Sequence, residues 1–316
     1  MIARILKFGM DQFLRRVRFP EQVAEDSAAT TKEVMSAFEA GIHTALQWPR
    51  KQPDEAAARV PWDRRDFFWE GTALGIASLH CMRFSRGNPD HLRLTDIYRQ
   101  MHYTGYGFWT GLGRVYPLPS LSLDPKQWSE VRDFTKYAPF IAGGIGFALV
   151  TTIGAFNDRV LSKLYGPAIQ GWEMAGLHGC GRGLWFLYMH NTPRLEEVLN
   201  AYPQHTEVLL EGLGIAITYT QLASAEKIIE TVNRFSPAHR EVLLRGVGGT
   251  LIQMPADNPD LLGYIDSIAE GPLRLPYEAC RQAAQRAATG AEWYTSFIGL
   301  IRECMSESHT KHKTTC

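Results

Sequence analysis

The sequence predicts an all-α protein of tandem two-helix units, each about 34 residues long, forming an α/α toroid or a strongly curved solenoid. Three observations predict it. One motif recurs: "EGTALGIASL" (70–79), "TGYGFWTGLG" (104–113), "GGIGFALVTT" (143–152), "HGCGRGLWFL" (178–187), "EGLGIAITYT" (211–220) and "RGVGGTLIQM" (245–254). Prolines and capping residues divide each interval into a short helix and a longer one. The longer helices carry almost continuous apolar runs ("GIGFALVTTIGAF", "GLWFLYM", "GIAITYTQL"), the pattern of a helix buried on most sides.

The chain begins with "MIARILKFGMDQFLRRVRF". Ile2, Ile5, Leu6, Phe13, Leu14 and Val17 can share one face, and Arg4, Lys7, Arg15, Arg16 and Arg18 supply charge. Residues 1–20 read as a basic amphipathic helix. It either packs on its own domain or lies on an anionic membrane surface through residues 1–19. Residues 21–305 form one helical-repeat domain, and the polar residues 306–316 read as a flexible tail.

Aligned on their first small residue, the repeats are anchored at Gly71, Gly105, Gly144, Gly179, Gly212 and Gly246. The separations are 34, 39, 35, 33 and 34 residues. A second small residue follows each anchor at Ala73, Gly107, Gly146, Gly181, Gly214 and Gly248. A fainter copy, "EAGIHTAL" (39–46), precedes the series, and a degenerate one follows near "ACRQAAQRAATG" (279–290). A period near 34 in a helical sequence means stacked two-helix units.

The later units show their grammar clearly. "TPRLEEVLNAY" (192–202) is a short helix with Thr192 as N-cap and Pro193 at the first helical position. Pro203 ends it, and "HTEVLLEGLGIAITYTQL" is the longer partner. "SAEKIIETVNRF" (224–235) repeats the first step, and Ser236-Pro237 opens the next long helix. Glycine inside a helix costs about 0.5–1 kcal/mol relative to alanine. Pairs of glycines at one depth of every long helix therefore point to close helix approach, as an inner ring requires.

Composition excludes several functions. Lys+Arg and Asp+Glu number 33 each, so no overall field draws nucleic acid. Five cysteines, at 81, 180, 280, 304 and 316, are widely spaced with no Cys-x-x-Cys, which suits reduced cytoplasmic thiols. No run of 18 uncharged apolar residues occurs, so no transmembrane helix is expected. No Walker loop, serine nucleophile elbow or terpene-cyclase aspartate motif is present. "DRRD" (63–66) reads as a solvated helix start.

Polar residues gather around the small-residue level. Glu39, Glu70, Glu211 and Arg245 immediately precede or neighbour the anchors, and His43, His178 and Arg182 lie within a turn. In a closed ring these side chains converge on one mouth of the cavity. Glu70 and Glu211 are then candidates for general acid and base, with His178 beside them and Arg182 holding an anion. The alternative is structural pairing of these glutamates with arginines of other units. Trp69, Tyr106, Trp109, Trp185 and Tyr219 are candidate walls for an apolar ligand, or core. His80-Cys81 and His178-Gly-Cys180 hold zinc-ligand types, but the two cysteines lie about two turns apart in depth. No metal or cofactor is expected.

"FFWEGTALGIASL" (67–79) and "GCGRGLWFLYM" (179–189) resemble two motifs of the bacterial DUF1702 family, over nearly the whole chain. Glu70 and Gly71 match the first motif. Gly179, Gly181, Arg182, Trp185 and Phe186 match the second. Thr104 stands where an acid is expected before "GYG". Members of that family occur in gene clusters for enediyne and related polyketide natural products. The resemblance implies an accessory biosynthetic protein. One form is an enzyme that folds a long polyene or polyketide-like substrate in an apolar cavity and isomerises or cyclises it. The other is a non-catalytic scaffold for a biosynthetic partner protein or a membrane surface.

Overall fold

A computed structural model describes residues 25–47, 52–82, 97–116, 118, 134–165, 169, 171–188, 191–287 and 293–314. Among them every regular element is a helix and no strand occurs. The long helices are α1 (Glu25–Leu46), α3 (Arg65–Met82), α4 (Arg99–Val115), α5 (Phe134–Ile153), α7 (Glu173–Tyr188), α9 (Thr206–Gln221), α11 (Pro237–Asp257), α13 (Arg274–Arg286) and α14 (Trp293–Thr314). Each packs on the next along the chain. Short helices fall between them: α2 (Pro53–Ala57), α6 (Asp158–Leu164), α8 (Thr192–Ala201), α10 (Ala225–Asn233) and α12 (Leu262–Ile268).

The glycine pairs explain this stacking. Gly212 of α9 lies against the His178 carbonyl of α7, and Gly214, two residues on, lies against the Leu243 carbonyl of α11. A Cβ at either position would land on backbone oxygen. The first glycine thus faces the preceding long helix and the second faces the following one. Successive residues on a helix are about 100° apart, so an i, i+2 pair points to opposite sides. The same alternation holds for Gly71, Gly105, Gly144, Gly179 and Gly246 toward the preceding helix. Gly107, Gly146, Gly181 and Gly248 face the following one. Gly41, in the fainter first copy, meets the Phe68 carbonyl of α3 and so belongs to the series.

Caps set where the short helices begin. Asn157 and Ser224 accept hydrogen bonds from the backbone N–H groups of Val160 (3.1 Å) and Lys227 (3.2 Å). At α8 the cap is Asn191, not Thr192: the Asn191 carboxamide accepts from the Arg194 N–H at 3.2 Å, and Thr192 is already helical. Proline at the second helical position allows this one-residue shift, because its missing N–H is an orphan there anyway.

One further expectation changes. "DRRD" is not a solvated start. Arg64 and Asp66 are each 6% exposed, because α3 enters the core at its first turn and residues 66–78 are buried without a break. Arg64 is held by Asp63 at 2.9 Å and Glu33 at 3.3 Å. The last helix continues through Thr314. The amphipathic helix expected over residues 1–20 lies outside the described residues.

Among the described residues one helical stretch, Lys136–Ile153 of α5, is long and apolar enough to cross a membrane, and about two thirds of it (67%) is buried inside the protein. Its apolar surface packs against α4 and α7. Some bonds join helices distant in sequence. The Gln100 N–H, at the start of α4, donates to both oxygens of Asp257, at the end of α11 (3.2 and 3.1 Å). Asn258 Nδ2 donates to the Tyr98 hydroxyl at 3.0 Å. The final helix, α14, contacts α5 and α11 as well as its neighbour α13.

Candidate functional site

The long helices bring their small-residue level together, and the polar residues beside it meet there. Glu211 precedes Gly212 on α9, and His178 precedes Gly179 on α7. Because Gly212 lies on the His178 carbonyl, the two side chains are neighbours, and His178 Nε2 stands 3.1 Å from Glu211 Oε2. On the other side of the ring, His178 Nδ1 stands 2.5 Å from the Tyr294 hydroxyl of α14. Tyr294, His178 and Glu211 thus form one buried hydrogen-bonded chain.

Glu211 is the most heavily compensated group of the site. Arg302 of α14 donates to both its oxygens, Nε to Oε1 at 3.1 Å and Nη2 to Oε2 at 2.8 Å. Arg245, on α11 one unit later, donates from Nε to Oε1 at 3.1 Å, and its Nη2 also pairs with Glu207. Burial pushes the Glu211 carboxyl up, but hydrogen bonds and charge from His178 and Arg302 outweigh it and hold the group down at about 2. Glu211 is therefore ionised and accepts only. In the tautomer with its proton on Nε2, His178 donates to Glu211 and accepts the Tyr294 O–H at Nδ1. Burial raises the Tyr294 hydroxyl well above its ordinary value.

Arg182 lies one turn beyond His178 on α7. Its Nη2 reaches Glu70 of α3 at 3.4 and 3.3 Å, and its guanidinium stands 5.2 Å from the centre of the Phe147 ring. Burial raises the Glu70 carboxyl, and the charge and hydrogen bond of Arg182 pull it partly back. Arg182 faces one cavity and Glu70 another. The first has a volume of about 60 Å³, room for a few water molecules, and includes His178, Glu211, Tyr219 and Tyr294, apolar side chains of α5 and α14, and Arg245, Thr250 and Gln253 of α11. The second, about 30 Å³, is walled by Phe38, Phe67, Phe108, Phe147 and Phe186.

The four residues expected to do chemistry are thus all buried and form two pairs, His178 with Glu211 and Arg182 with Glu70. Glu70 and Glu211 line different cavities, Glu70 bound to Arg182 and Glu211 to Arg245 and Arg302 as well as His178. Glu39 and His43 do not join them and pair with one another at 3.7 Å along α1. Thr104, standing where an acid was expected, turns its hydroxyl back to the Gln100 carbonyl at 2.8 Å.

Of the aromatic residues expected to line a ligand cavity, Tyr219 does so beside Glu211. Trp69 borders a different cleft, near the start of α3. Tyr106, Trp109 and Trp185 are packing residues instead, each about 2% exposed or less and lining none of these three cavities. Trp185 Nε1 donates to Thr220 of the adjacent α9 at 3.2 Å, and Tyr106 lies edge-on to Tyr103 at 5.7 Å. These rings sit between long helices rather than on the cavity side.

Cys81, Cys180 and Cys280 are buried free thiols, and buried Cys304 accepts from Arg286 Nη1 at 3.3 Å. Burial raises the Cys81 thiol to about 11, although Trp109 lowers it in part. Cys180 Sγ lies 3.6 Å from the Gly146 carbonyl. Among the described residues no three His, Cys, Asp or Glu side chains stand close enough to share a metal ion.

Sequence reasoning missed Tyr294 and Arg302, because α14 lies outside the repeat. A signal was present. Tyr294, Phe297, Ile298 and Ile301 recur at the spacing of one helix face, and all four line the cavity.

A family model described as "Protein of unknown function (DUF1702)" matches residues 10–251. Neither the curated proteins nor the solved structures contain a match.

Proposed function

We propose a function for this chain, which belongs to the DUF1702 family of proteins of unknown function: it is an acid–base enzyme acting on an apolar small molecule, with Tyr294–His178–Glu211 as its proton relay. The observation that carries this reading is three titratable groups bonded in series at an apolar cavity. Glu211 fixes the imidazole tautomer, and His178 Nδ1 accepts the Tyr294 proton as the phenolic oxygen takes one from a carbon beside a carbonyl or polyene terminus. Return of that proton to another carbon completes an isomerisation with no other reactant. Arg182 is placed to hold developing oxyanion charge. The substrate class is polyene or polyketide-like, in a natural-product setting of the enediyne type, and the setting is cytoplasmic.

The long helices closing into an α/α toroid, or a strongly curved solenoid, are part of the same proposal. Bonds between α3 and α7 and between α4 and α11 support it, since they join helices far apart in the stack. A cavity of about 60 Å³ holds only the reacting end of such a substrate.

The same small volume favours a second reading, in which the interior is packed and the buried ion pairs are structural. The protein is then a scaffold for a biosynthetic partner protein or, through residues 1–19, a membrane surface. Two variants in a producing host separate these readings. Tyr294→Phe removes one oxygen and keeps the ring, and Arg182→Lys keeps the charge. Loss of product with an unchanged melting temperature supports the enzyme. Unchanged product titre in both variants overturns it.

A further inference from the structure

A second cleft, far larger than the cavity at Glu211, opens between α2, the start of α3 and α12. It encloses about 440 Å³, within the usual range of small-molecule sites at about 300–1,000 Å³. Four aromatic residues border it: Trp62, Trp69, Tyr98 and Tyr264. Trp62 meets Tyr264 edge-on with ring centres 4.6 Å apart, and Trp69 stacks on Tyr98 at 6.1 Å. Trp62 is 40% exposed, unusual for so large an apolar ring.

The rings are held in place from behind. The Tyr264 hydroxyl donates to the Leu222 carbonyl at 2.6 Å, and the Tyr98 hydroxyl accepts from buried Asn258. Tyr98 and Trp69 are 5% and 3% exposed and form the floor, so Trp62 and half-buried Tyr264 supply the accessible ring surface of the cleft. Tyr98 has φ 60°, the one left-handed non-glycine backbone among the described residues. That conformation costs of order 1 kcal/mol or more and concentrates at ligand sites. Its ring position depends on bonds from a segment 160 residues away, so the cleft exists only when early and late units are assembled.

Polar groups in the cleft have both signs. Asp54 and Asp260 are exposed acceptors, and Arg65 is a donor whose Nε also binds the Val60 carbonyl at 3.3 Å. An anionic ligand meets two carboxylates, and a cationic one meets the guanidinium. A neutral ring bearing hydroxyl groups uses both kinds of partner, while its C–H face rests on indole and phenol rings. We propose that this cleft is a binding site for a neutral, hydroxyl-bearing ring compound of the glycoside type, distinct from the Tyr294 cavity.

Saturation-transfer NMR on the full chain tests it, with phenyl β-glucoside, phenyl β-galactoside and phenyl α-mannoside as probes. Benzoate and phenyltrimethylammonium serve as anionic and cationic counterparts with the same aryl ring. At least one glycoside is expected to show saturable binding at millimolar concentration and to exceed both ions. Trp62→Ala and Asp260→Asn should each weaken it at least fivefold. Both positions are exposed, so folding survives, and an unchanged melting temperature checks this. Tyr294→Phe should leave binding unchanged, which keeps this inference separate from the proton relay. Equal or stronger binding of either ion, glycoside binding unaffected by Trp62→Ala, or no glycoside binding overturns the assignment.

Discussion

Replacing Gly212 by alanine tests the packing principle of the fold. In an unconstrained helix the change stabilises, by about 1 kcal/mol, because alanine is the better helix former. Here the added Cβ lands on the His178 carbonyl, which is backbone and cannot rotate away. Helices α7 and α9 must separate, and overpacking of this kind costs about 1–3 kcal/mol or more. The net expectation is a loss of about 1–2 kcal/mol, read as a lower urea midpoint at unchanged slope. Gly263 in α12 is the matched control, since a Cβ there meets nothing within 4 Å. Gly263→Ala should raise stability by up to about 1 kcal/mol. If Gly212→Ala equals or exceeds the wild-type midpoint, close helix approach is not why the glycines recur.

Three further outcomes follow from the buried charges. Arg302→Gln removes two of the bonds to Glu211 while Arg245 and His178 remain, so the loss should be about 1–2 kcal/mol, and α14 should become more susceptible to limited proteolysis. Glu211 has its folded pKa depressed to about 2, so its stabilisation is full above its unfolded value near 4.5 and is lost as pH falls from there toward 2. Glu211→Gln should flatten the acid limb of a stability–pH curve in that window, and an unchanged limb refutes the assignment. Asp66 behaves oppositely. Burial, then the charges of Asp257 and Glu70, raise it from 3.8 to about 8, so its contribution is full below 3.8 and declines as pH rises toward 8. Asp66→Asn should therefore gain stability relative to wild type as pH increases over that range, measured by thermal unfolding.

The repeat was legible because its cause is local and periodic. Glycine at i and i+2 recurs wherever a helix must approach both neighbours, and that demand is the same in each unit. His178, Arg182, Glu70 and Glu211 were legible as buried polar groups for the same reason, since their positions beside the anchors fix their depth. Their partners were not. Arg182 meets Glu70 across 112 residues, and nothing in the spacing of either motif encodes that approach. "DRRD" was misread because charge in a helix's first turn usually means solvent, whereas here burial holds Arg64 in ion pairs and Asp66 protonated at neutral pH.

By itself the sequence determined the helical class, the unit length, the glycine-lined stacking surfaces and the family, because each rests on residues close together in the chain. The tertiary structure alone decided which carboxylate is ionised, which tyrosine meets His178 and where open volume lies. Those properties depend on desolvation and on charges brought together from distant helices. Glu70 and Glu211 occupy the same place in their repeats. One is raised beside a single arginine and the other is held at about 2 by several donors, because α14 folds back over only one of them.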